Sequence, residues 1–186
     1  MFNFCPSCAS KKIIFEEGKK FRCPDCGFVF YQNIAAATGC LISVPSDTDA
    51  GEESLLFLIR GKEPALGMID LPGGFVDIGE GVLDGLYREL KEEIGWTPPI
   101  PDGAGLTGVF KLFASFSNVY EYKGVKYNTC DMYFSVSAPG LLLEDLRLEQ
   151  AEIAGALFLK RGEIDFSRFA FNSTRQAVKS YFHILD

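Results

Sequence analysis

The stretch that decides the fold is GGFVDIGEGVLDGLYRELKEEIGW, residues 73–96, which holds six glycines and six acidic residues. Glycine weakens a helix interior, and like charges one turn apart repel each other. From about Val82, however, apolar residues recur every three or four positions, which predicts an amphipathic helix that ends at Thr97-Pro98-Pro99. The stretch therefore divides into a glycine-rich loop, residues 73–81, and a helix that carries its carboxylates for a reason other than stability.

Three of these acidic residues share one face of the predicted helix. Glu89, Glu92 and Glu93 are three, four and one positions apart. Clustered carboxylates repel one another unless a cation lies among them, and oxygen-only ligands favour Mg²⁺ or Mn²⁺ over zinc. Arg88 stands four residues before Glu92, where it can hold a carboxylate in place. The pattern indicates metal-assisted attack of water on a phosphate ester or anhydride. An ordinary solvated helix face is the alternative.

The spacing of these residues resembles the Nudix box. Its pattern is G-x5-E-x7-R-E-U-x-E-E-x-G-U, where U is a bulky aliphatic residue. The chain meets all seven invariant positions, and Trp96 departs only at a U position, which packs. The matching residues are Gly74, Glu80, Arg88, Glu89, Glu92, Glu93 and Gly95. The resemblance implies an α/β/α sandwich that hydrolyses a nucleoside diphosphate linked to another moiety, using Mg²⁺ or Mn²⁺.

Carried over by position, the resemblance also implies roles. The metal ligands are Glu89, Glu92, Glu93 and the carbonyl of Gly74. Glu89 or a further glutamate helps to activate the water, and Arg88 and Glu80 orient the loop and the carboxylates. Gly73 and Gly74 form the loop against the phosphates, because glycine lets the backbone approach a ligand closely.

Many relatives supply one more acid from a loop outside the box. Glu149 and Glu152 are the candidates here, and Glu152 is favoured because it adjoins a predicted strand, residues 153–159. A surface role is the alternative for both.

Two C-x-x-C pairs stand near the N-terminus. Cys5 and Cys8 are separated by fourteen residues from Cys23 and Cys26. This spacing is typical of a structural four-thiolate zinc site, with a redox dithiol or disulfides as the alternatives. A hairpin over residues 13–22, turning at 17–19, and a strand at 28–30 complete a small zinc ribbon. A four-cysteine ribbon before a Nudix domain is similar to the NADH/NAD-cap pyrophosphatase group.

Composition supports two modules. The chain has 186 residues, of which 47% are hydrophobic, and residues 1–32 carry a net charge of +2 against −9 for the remainder. We predict a zinc ribbon over 1–32 and a Nudix hydrolase domain over 33–186. No run approaches the ~18 apolar residues of a membrane span, and no signal peptide is evident. We therefore expect a cytoplasmic protein.

The second module is predicted to be α+β, with a mixed sheet between helices. Strands are expected at 34–44, 55–60, 109–122, 125–136 and 153–159, with a hairpin turn at Lys123-Gly124. A last helix over 174–184 is expected to be capped by residues 172–174. Cys40 and Cys130 lie in apolar runs and are expected to be buried.

The substrate is less well defined. NADH-specific relatives carry a Ser-Gln-Pro-Trp-Trp-type motif after the box, which this chain lacks. This absence argues against NADH as the main substrate. The expected class is a nucleoside diphosphate derivative such as ADP-ribose, NAD(H) or a similar compound. Four aromatic residues are candidates for stacking on a base, or for core or dimer-interface positions: Phe116, Tyr120, Tyr122 and Tyr127.

The partners follow from charge and family. A net charge of −7 argues against a nucleic-acid surface, apart from a capped RNA 5′ end. A small nucleotide derivative is the expected partner, and a second copy of the chain, forming a homodimer, is a further candidate. The alternative to an enzyme is a nucleotide-sensing module without turnover.

Overall fold

The computed structural model describes residues 2–16, 18–46, 48 and 51–184. The chain divides into two compact units, Met1–Ile34 and Ala35–Asp186. The sequence-based boundary, between residues 32 and 33, lies two residues before this division.

The first unit contains a three-stranded antiparallel sheet with the order β1-β2-β3. Its centre is Phe21, which is buried and packs against the rings of Phe2 and Phe30, at centroid distances of 4.6 and 5.2 Å. The predicted hairpin and third strand are confirmed, although Glu17 of the predicted turn lies outside the described residues. The strands are β1 (Ile14–Glu16), β2 (Lys20–Arg22) and β3 (Val29–Tyr31).

The second unit contains a seven-stranded mixed sheet in the described ranges. Five strands run in the order β10-β5-β4-β9-β8, with β6 beside β5 and β7 beside β4. Only β4 and β9 are parallel; the other pairs are antiparallel. The strands are β4 (Ala35–Pro45), β5 (Glu53–Arg60), β6 (Ile69–Asp70), β7 (Gly73–Phe75), β8 (Lys111–Tyr122), β9 (Val125–Ser137) and β10 (Ile153–Lys160), and the helices are α1 (Val82–Ile94) and α2 (Asn172–Tyr181).

The sheet lies between the two helices because its central strands are apolar on both faces. Cys40 and Ile42 of β4 belong to one core, and Leu41 between them belongs to the other. Side chains alternate across a strand, so a continuous apolar run implies a layer on each face. The α+β class and the α/β/α sandwich are therefore confirmed. Into the first core α1 places Leu86, Leu90 and Ile94, and into the second α2 places Ala177 and Val178.

Helix α1 begins at Val82, as predicted, but ends earlier than the prolines indicate. Gly95 adopts a left-handed conformation with φ of 62°, which terminates the helix before residues 97–99. The backbone N–H groups of Arg147 and Glu149 donate to the carbonyls of Ile94 and Glu93 at 2.8 and 2.9 Å. A distant segment therefore covers the end of this helix.

The last helix differs from its prediction in both position and capping. It spans Asn172–Tyr181, with Phe171 at the N-cap position and no capping hydrogen bond from a side chain. Ser173 and Thr174 are buried and bond to other elements, so they are not available as caps.

Two further expectations have mixed outcomes. Cys40 is fully buried, whereas Cys130 is only half-buried, because it lies near the more exposed end of β9. The hairpin between β8 and β9 is confirmed, with Lys123 and Gly124 at φ of 49° and 77°.

The described part of the chain contains no helix with the length and apolarity needed to cross a membrane.

Candidate functional site

A cavity of about 290 Å³ lies at the end of the sheet where β4 and β5 cease to pair. Beyond that point β7 takes the place beside β4, and β6 the place beside β5. Residues of α1, β9 and the first turn of α2 also line the cavity. Chain segments far apart in sequence therefore meet around one space.

Two glycines form the wall next to α1. A Cβ on Gly73, whose φ is 144°, would lie 2.1 Å from the carbonyl oxygen of Thr38. A Cβ on Gly74 would lie 2.5 Å from Oε1 of Glu89. No other residue fits without displacing β4 or the carboxylate. Gly73 and Gly74 thus belong to strand β7 and not to the loop predicted over residues 73–81, because glycine is required where β7 approaches its neighbours so closely.

Arg88 connects the loop to the helix carboxylates. Its Nε and Nη2 atoms donate to Glu80 at 2.7 and 3.1 Å, and Nη2 also donates to the carbonyl of Phe75 at 3.0 Å. Its Nη1 donates to both Glu89 and Glu92 at 2.9 Å. The Glu80 bonds, with the N–H of Asp77, lower the pKa of Glu80. One guanidinium therefore binds three carboxylates and offsets part of their negative charge.

Glu93 has a different partner. Its Oε2 accepts the N–H of Gly73 at 2.8 Å, which joins the helix to β7. Burial raises the pKa of Glu93 to about 8; the Gly73 N–H opposes the rise, and the negative charges of Glu89, Asp70 and Glu152 add to it. Burial also raises the pKa of Glu89, against the effect of Arg88. Both carboxyls lie where added positive charge would stabilise their ionised forms.

The structure brings only some of the predicted site residues to the cavity surface. The lining includes Gly73, Gly74, Glu89, Glu93 and Glu152. Glu80 and Arg88 support this wall from behind, and Glu92 is more than half exposed and bonded to Arg88. The carboxylate oxygens of Glu89, Glu92 and Glu93 do not lie within 4.8 Å of one another as a group. Arg88 Nη1 bridges Glu89 and Glu92, and the Gly73 N–H holds Glu93, so protein donors offset part of their mutual repulsion.

Of the two acids predicted outside the box, only Glu152 lines the cavity. It forms an ion pair with Lys62, which also lines the cavity. Glu149 turns back on its own loop, where Oε1 accepts the N–H of Ala151 at 3.1 Å.

Three aromatic rings line the side of the cavity that faces β8 and α2. Tyr120 lies 5.4 Å from Phe75 and 5.6 Å from Phe171 between ring centroids. The Arg60 guanidinium carbon lies 5.0 Å from the Phe171 centroid. Of the four predicted aromatics, Tyr120 is the one in the lining: Phe116 packs against the second core, and Tyr122 and Tyr127 are exposed.

The profile of the NUDIX domain family matches residues 36–178. The chain belongs to the NUDIX domain family. The matched range contains the whole box, residues 74–96, and the predicted membership is confirmed.

Two curated relatives of this Nudix domain are named for different activities. The NAD-capped RNA hydrolase NudC of Deinococcus radiodurans is 32% identical over 92 residues, which are 50% of this chain and 31% of that protein. The ADP-ribose pyrophosphatase of Methanocaldococcus jannaschii is 38% identical over 98 residues, 52% of this chain and 50% of that protein. The chain thus spans half or less of the length of these relatives.

Solved structures share the Nudix fold. A NUDIX hydrolase from Nitrosomonas europaea aligns with a TM-score of 0.62 and 21% identity, covering 98% of this chain and 91% of that one. The NUDIX domain of Shewanella oneidensis NrtR, complexed with ADP ribose, aligns with a TM-score of 0.62 and 15% identity, covering 84% and 91%. At these identities the likeness establishes the fold alone.

Outside the Nudix domain, the four N-terminal cysteines form a second cluster. Their Sγ atoms all lie within 4.8 Å of one another. Cys5 and Cys26 Sγ are 3.6 Å apart, and Cys8 and Cys23 Sγ are 3.7 Å apart. A zinc ion with Zn–S bonds of 2.3 Å needs sulfurs about 3.8 Å apart. All six cysteines are free thiols, so the disulfide alternative is not supported.

A buried polar network, not predicted from the sequence, lies on the wall of the cavity formed by β9 and α2. Asp131 accepts the hydroxyl of Ser173 at 2.6 Å, and Tyr133 donates to Ser173 at 3.0 Å and lies 3.2 Å from Thr174. Thr174 donates to Asp70 at 2.8 Å. The signal that could have revealed this network is Asp131 itself, an acidic residue directly before the apolar stretch Met132-Tyr133-Phe134 of β9.

Asp70 ends this network beside Arg60. Burial raises the pKa of Asp70 to about 6, and the nearby Arg60 charge and the Thr174 hydrogen bond oppose the rise. Thr38, which also lines the cavity, has a buried hydroxyl oxygen without a partner in the described part of the chain.

Proposed function

We propose that this protein hydrolyses the pyrophosphate bond of a nucleoside diphosphate linked to another moiety, such as ADP-ribose or NAD(H), with Mg²⁺ or Mn²⁺. The observation that carries the proposal is the shared cavity. Glu89 and Glu93 line one part of it, and the rings of Tyr120 and Phe171 line another. A diphosphate with its metal suits the acidic part, and a nucleobase suits the aromatic part.

The donor set of the box fits a hard divalent cation. The carboxylates of Glu89, Glu92 and Glu93 and the carbonyl of Gly74 offer oxygen ligands only, as Mg²⁺ and Mn²⁺ prefer. We propose that these four groups hold the ion. When bound, it supplies a lowered pKa for the attacking water and positive charge for the phosphate oxygens.

The remaining box residues position these ligands. Arg88 holds Glu89 and Glu92 through one nitrogen and is itself fixed by Glu80. Glu93 fixes Gly73, so the loop that would approach the diphosphate cannot move independently of the helix. Positioning of this kind contributes to catalysis because reacting groups are oriented before the reaction.

The proposed chemistry is hydrolysis without a covalent enzyme intermediate. The water oxygen bonds to one phosphorus as the bond from that phosphorus to the bridging oxygen breaks. Two phosphate monoesters result, one of them a nucleoside monophosphate. Glu89 or Glu152 accepts a proton from the water and passes it to solvent or to the leaving phosphate. We assign the acid outside the box to Glu152, because it lines the cavity.

Relatives support the substrate class. One is named an ADP-ribose pyrophosphatase, another an NAD-capped RNA hydrolase, and a Nudix domain of similar fold was solved with ADP ribose. We therefore place ADP-ribose first, with NAD(H) and a capped RNA 5′ end as further candidates.

We also propose that the four cysteines hold one structural zinc ion, because no ligand position is left for a substrate. The free thiols fit a reducing compartment, which supports a cytoplasmic location. The homodimer stays a prediction.

A substrate panel tests the proposal. NADH, NAD⁺, ADP-ribose, sugar nucleotides, nucleoside triphosphates and NAD-capped RNA are incubated with Mg²⁺ or Mn²⁺, and nucleoside monophosphate and phosphate are measured. We expect Glu93→Gln to lower turnover by more than about 100-fold, because the loss of a metal ligand should exceed the roughly 10- to 100-fold loss that follows removal of a group supporting a ligand. Glu144→Gln, at an exposed position outside the cavity lining, is the matched control.

Near-normal turnover by Glu93→Gln would refute the site assignment. Binding of ADP-ribose without turnover at any metal concentration would instead support the nucleotide-sensing module.

A further inference from the structure

One wall of the cavity has no part in the proposed hydrolysis. In the register of β8 and β9, Asn118 stands opposite Thr129, and Phe116 stands opposite Asp131. Residues opposite each other, and those two positions along, project from the same face of a sheet. Asn118, Thr129 and Asp131 all line the cavity. Two adjacent strands thus present an amide, a hydroxyl and a carboxylate side by side.

Asp131 is a buried carboxylate without a counter-ion. It is 7% exposed and forms no ion pair with any residue in the described ranges. It accepts hydrogen bonds from Thr129 at 2.5 Å and from Ser173 at 2.6 Å. A carboxylate has about four acceptor sites, and a buried charge is costly unless it is well hydrogen-bonded. Asp131 therefore has acceptor sites left for hydroxyl groups of a ligand.

Asn118 provides the complementary groups. Its carboxamide has both donors and an acceptor, and it bonds to none of the residues that the structure describes. It is half-buried on the same face of β8 as Tyr120, two positions along. Tyr120 belongs to the aromatic side of the cavity. The polar wall therefore adjoins the rings on which a base would stack.

We propose that Asn118 and Asp131 bind the ribose hydroxyls of the nucleoside half of the substrate. The inference rests on the proposed function and specifies how its substrate is recognised. A vicinal diol donates two hydrogen bonds to a carboxylate, and an acidic side chain on a ribose hydroxyl is a recurring form of nucleotide recognition. The other sugar of ADP-ribose has the same chemistry, but the neighbouring aromatic rings assign this wall to the nucleoside.

The test compares three substrates on the full chain: ADP-ribose, its analogue with a 2′,3′-dideoxy nucleoside ribose, and ADP esterified to a plain alkyl group. For the wild type we expect kcat/KM to fall at least about tenfold on the dideoxy analogue, since hydrogen bonds to charged groups contribute that much. The fall in kcat/KM on the alkyl ester, relative to ADP-ribose, should be smaller. For Asn118→Ala, kcat/KM on ADP-ribose should fall about tenfold. The ratio of kcat/KM between ADP-ribose and the dideoxy analogue should also be smaller than in the wild type.

The matched control is Asn128→Ala. Asn128 is exposed, precedes Thr129 directly and projects from the opposite face of β9, so this variant should behave as wild type. Equal wild-type activity on both nucleosides, or an equal loss by Asn118→Ala on both, would overturn the proposal. If instead kcat/KM falls mainly on the alkyl ester, which lacks the second sugar, the wall binds that sugar and the proposal is also overturned.

If the wild type hydrolyses none of the three, hydrolysis of ADP-ribose fails as the proposed activity, independently of the ribose site. Calorimetric Kd values for ADP-ribose and the dideoxy analogue then decide the ribose site, with the same tenfold difference expected.

Discussion

The two sets of proposed metal ligands in this chain are held in opposite ways. The four cysteine sulfurs are gathered within 4.8 Å of one another. The carboxylates of the Nudix helix are instead bound by protein donors, with Arg88 Nη1 bridging Glu89 and Glu92, and the Gly73 N–H on Glu93. Thiols can approach closely while they are protonated, whereas ionised carboxylates repel one another in the absence of a cation.

The difference indicates two kinds of metal site. In the ribbon, local turns aim every ligand at one point, and the metal would complete the fold. In the Nudix domain, the protein supplies its own positive charge and donors, so the fold is complete without the ion. A structural ion is therefore expected in the first site and an exchangeable one in the second.

The largest expected effect is on the ribbon. Cys23→Ser should release the zinc, expected at about one per chain in the wild type, and unfold β1–β3. Structural zinc contributes an apparent binding free energy of about 10–16 kcal/mol in small domains. Metal analysis and the amide NMR signals of the three strands measure this. Cys130→Ser, outside the cluster, should keep its zinc. A wild-type protein purified without zinc would contradict the structural-site interpretation.

A smaller effect is expected when the positive charge of the Nudix site is removed. Arg88→Gln frees Glu89 and Glu92, so kcat/KM should fall about 10- to 100-fold, as when support for a metal ligand is lost. The Mg²⁺ concentration for half-maximal activity should rise. Lys91→Gln removes the same charge from an exposed position of α1 and should change neither value. An unchanged Mg²⁺ requirement in Arg88→Gln would show that the arginine does not position the ligands.

The smallest effect compares the two cysteine turns. Ala9 and Gly27 each follow their first cysteine by four residues and donate to its carbonyl at 2.9 Å. Both residues adopt the left-handed backbone conformation, with φ of 59° for Ala9 and 76° for Gly27. Such a conformation costs a non-glycine residue about 1 kcal/mol, so Ala9→Gly should tighten zinc retention by up to about fivefold. Gly27→Ala should weaken it. Competition with a chelator measures both, and a stabilising Gly27→Ala would contradict the comparison.

The parts of the fold that the sequence predicts are those with local signals. The start of α1 at Val82 follows from periodicity, and the hairpin turn follows from Lys123-Gly124. The box spacing identifies the family because its residues lie in one continuous segment, in which Arg88 contacts Glu80, Glu89 and Glu92. The catalytic roles assigned from that spacing stay predictions.

The polar side of the cavity had one local signal, Asp131, and the hydrogen-bond partners come from distant parts of the chain. Thr174 and Asp70 are 104 positions apart, and Ser173 and Asp131 are 42 apart. The pattern around residues 172–174 is typical of a helix cap. In the structure, however, the hydroxyls of Ser173 and Thr174 are buried and donate to Asp131 of β9 and Asp70 of β6. Only the packing of α2 on the sheet shows which interaction prevails.

The backbone bonds that cover the end of α1 have a consequence for how the domain can diversify. Arg147 and Glu149 attach the segment before Glu152 to the helix, and the N–H of Gly61 attaches to the Glu152 carbonyl at 2.6 Å. The intervening residues 95–146, which include the whole β8–β9 hairpin, return to a fixed anchor. Insertions or substitutions in that hairpin can therefore alter the ligand preference of one half of the cavity while the acidic half keeps its geometry.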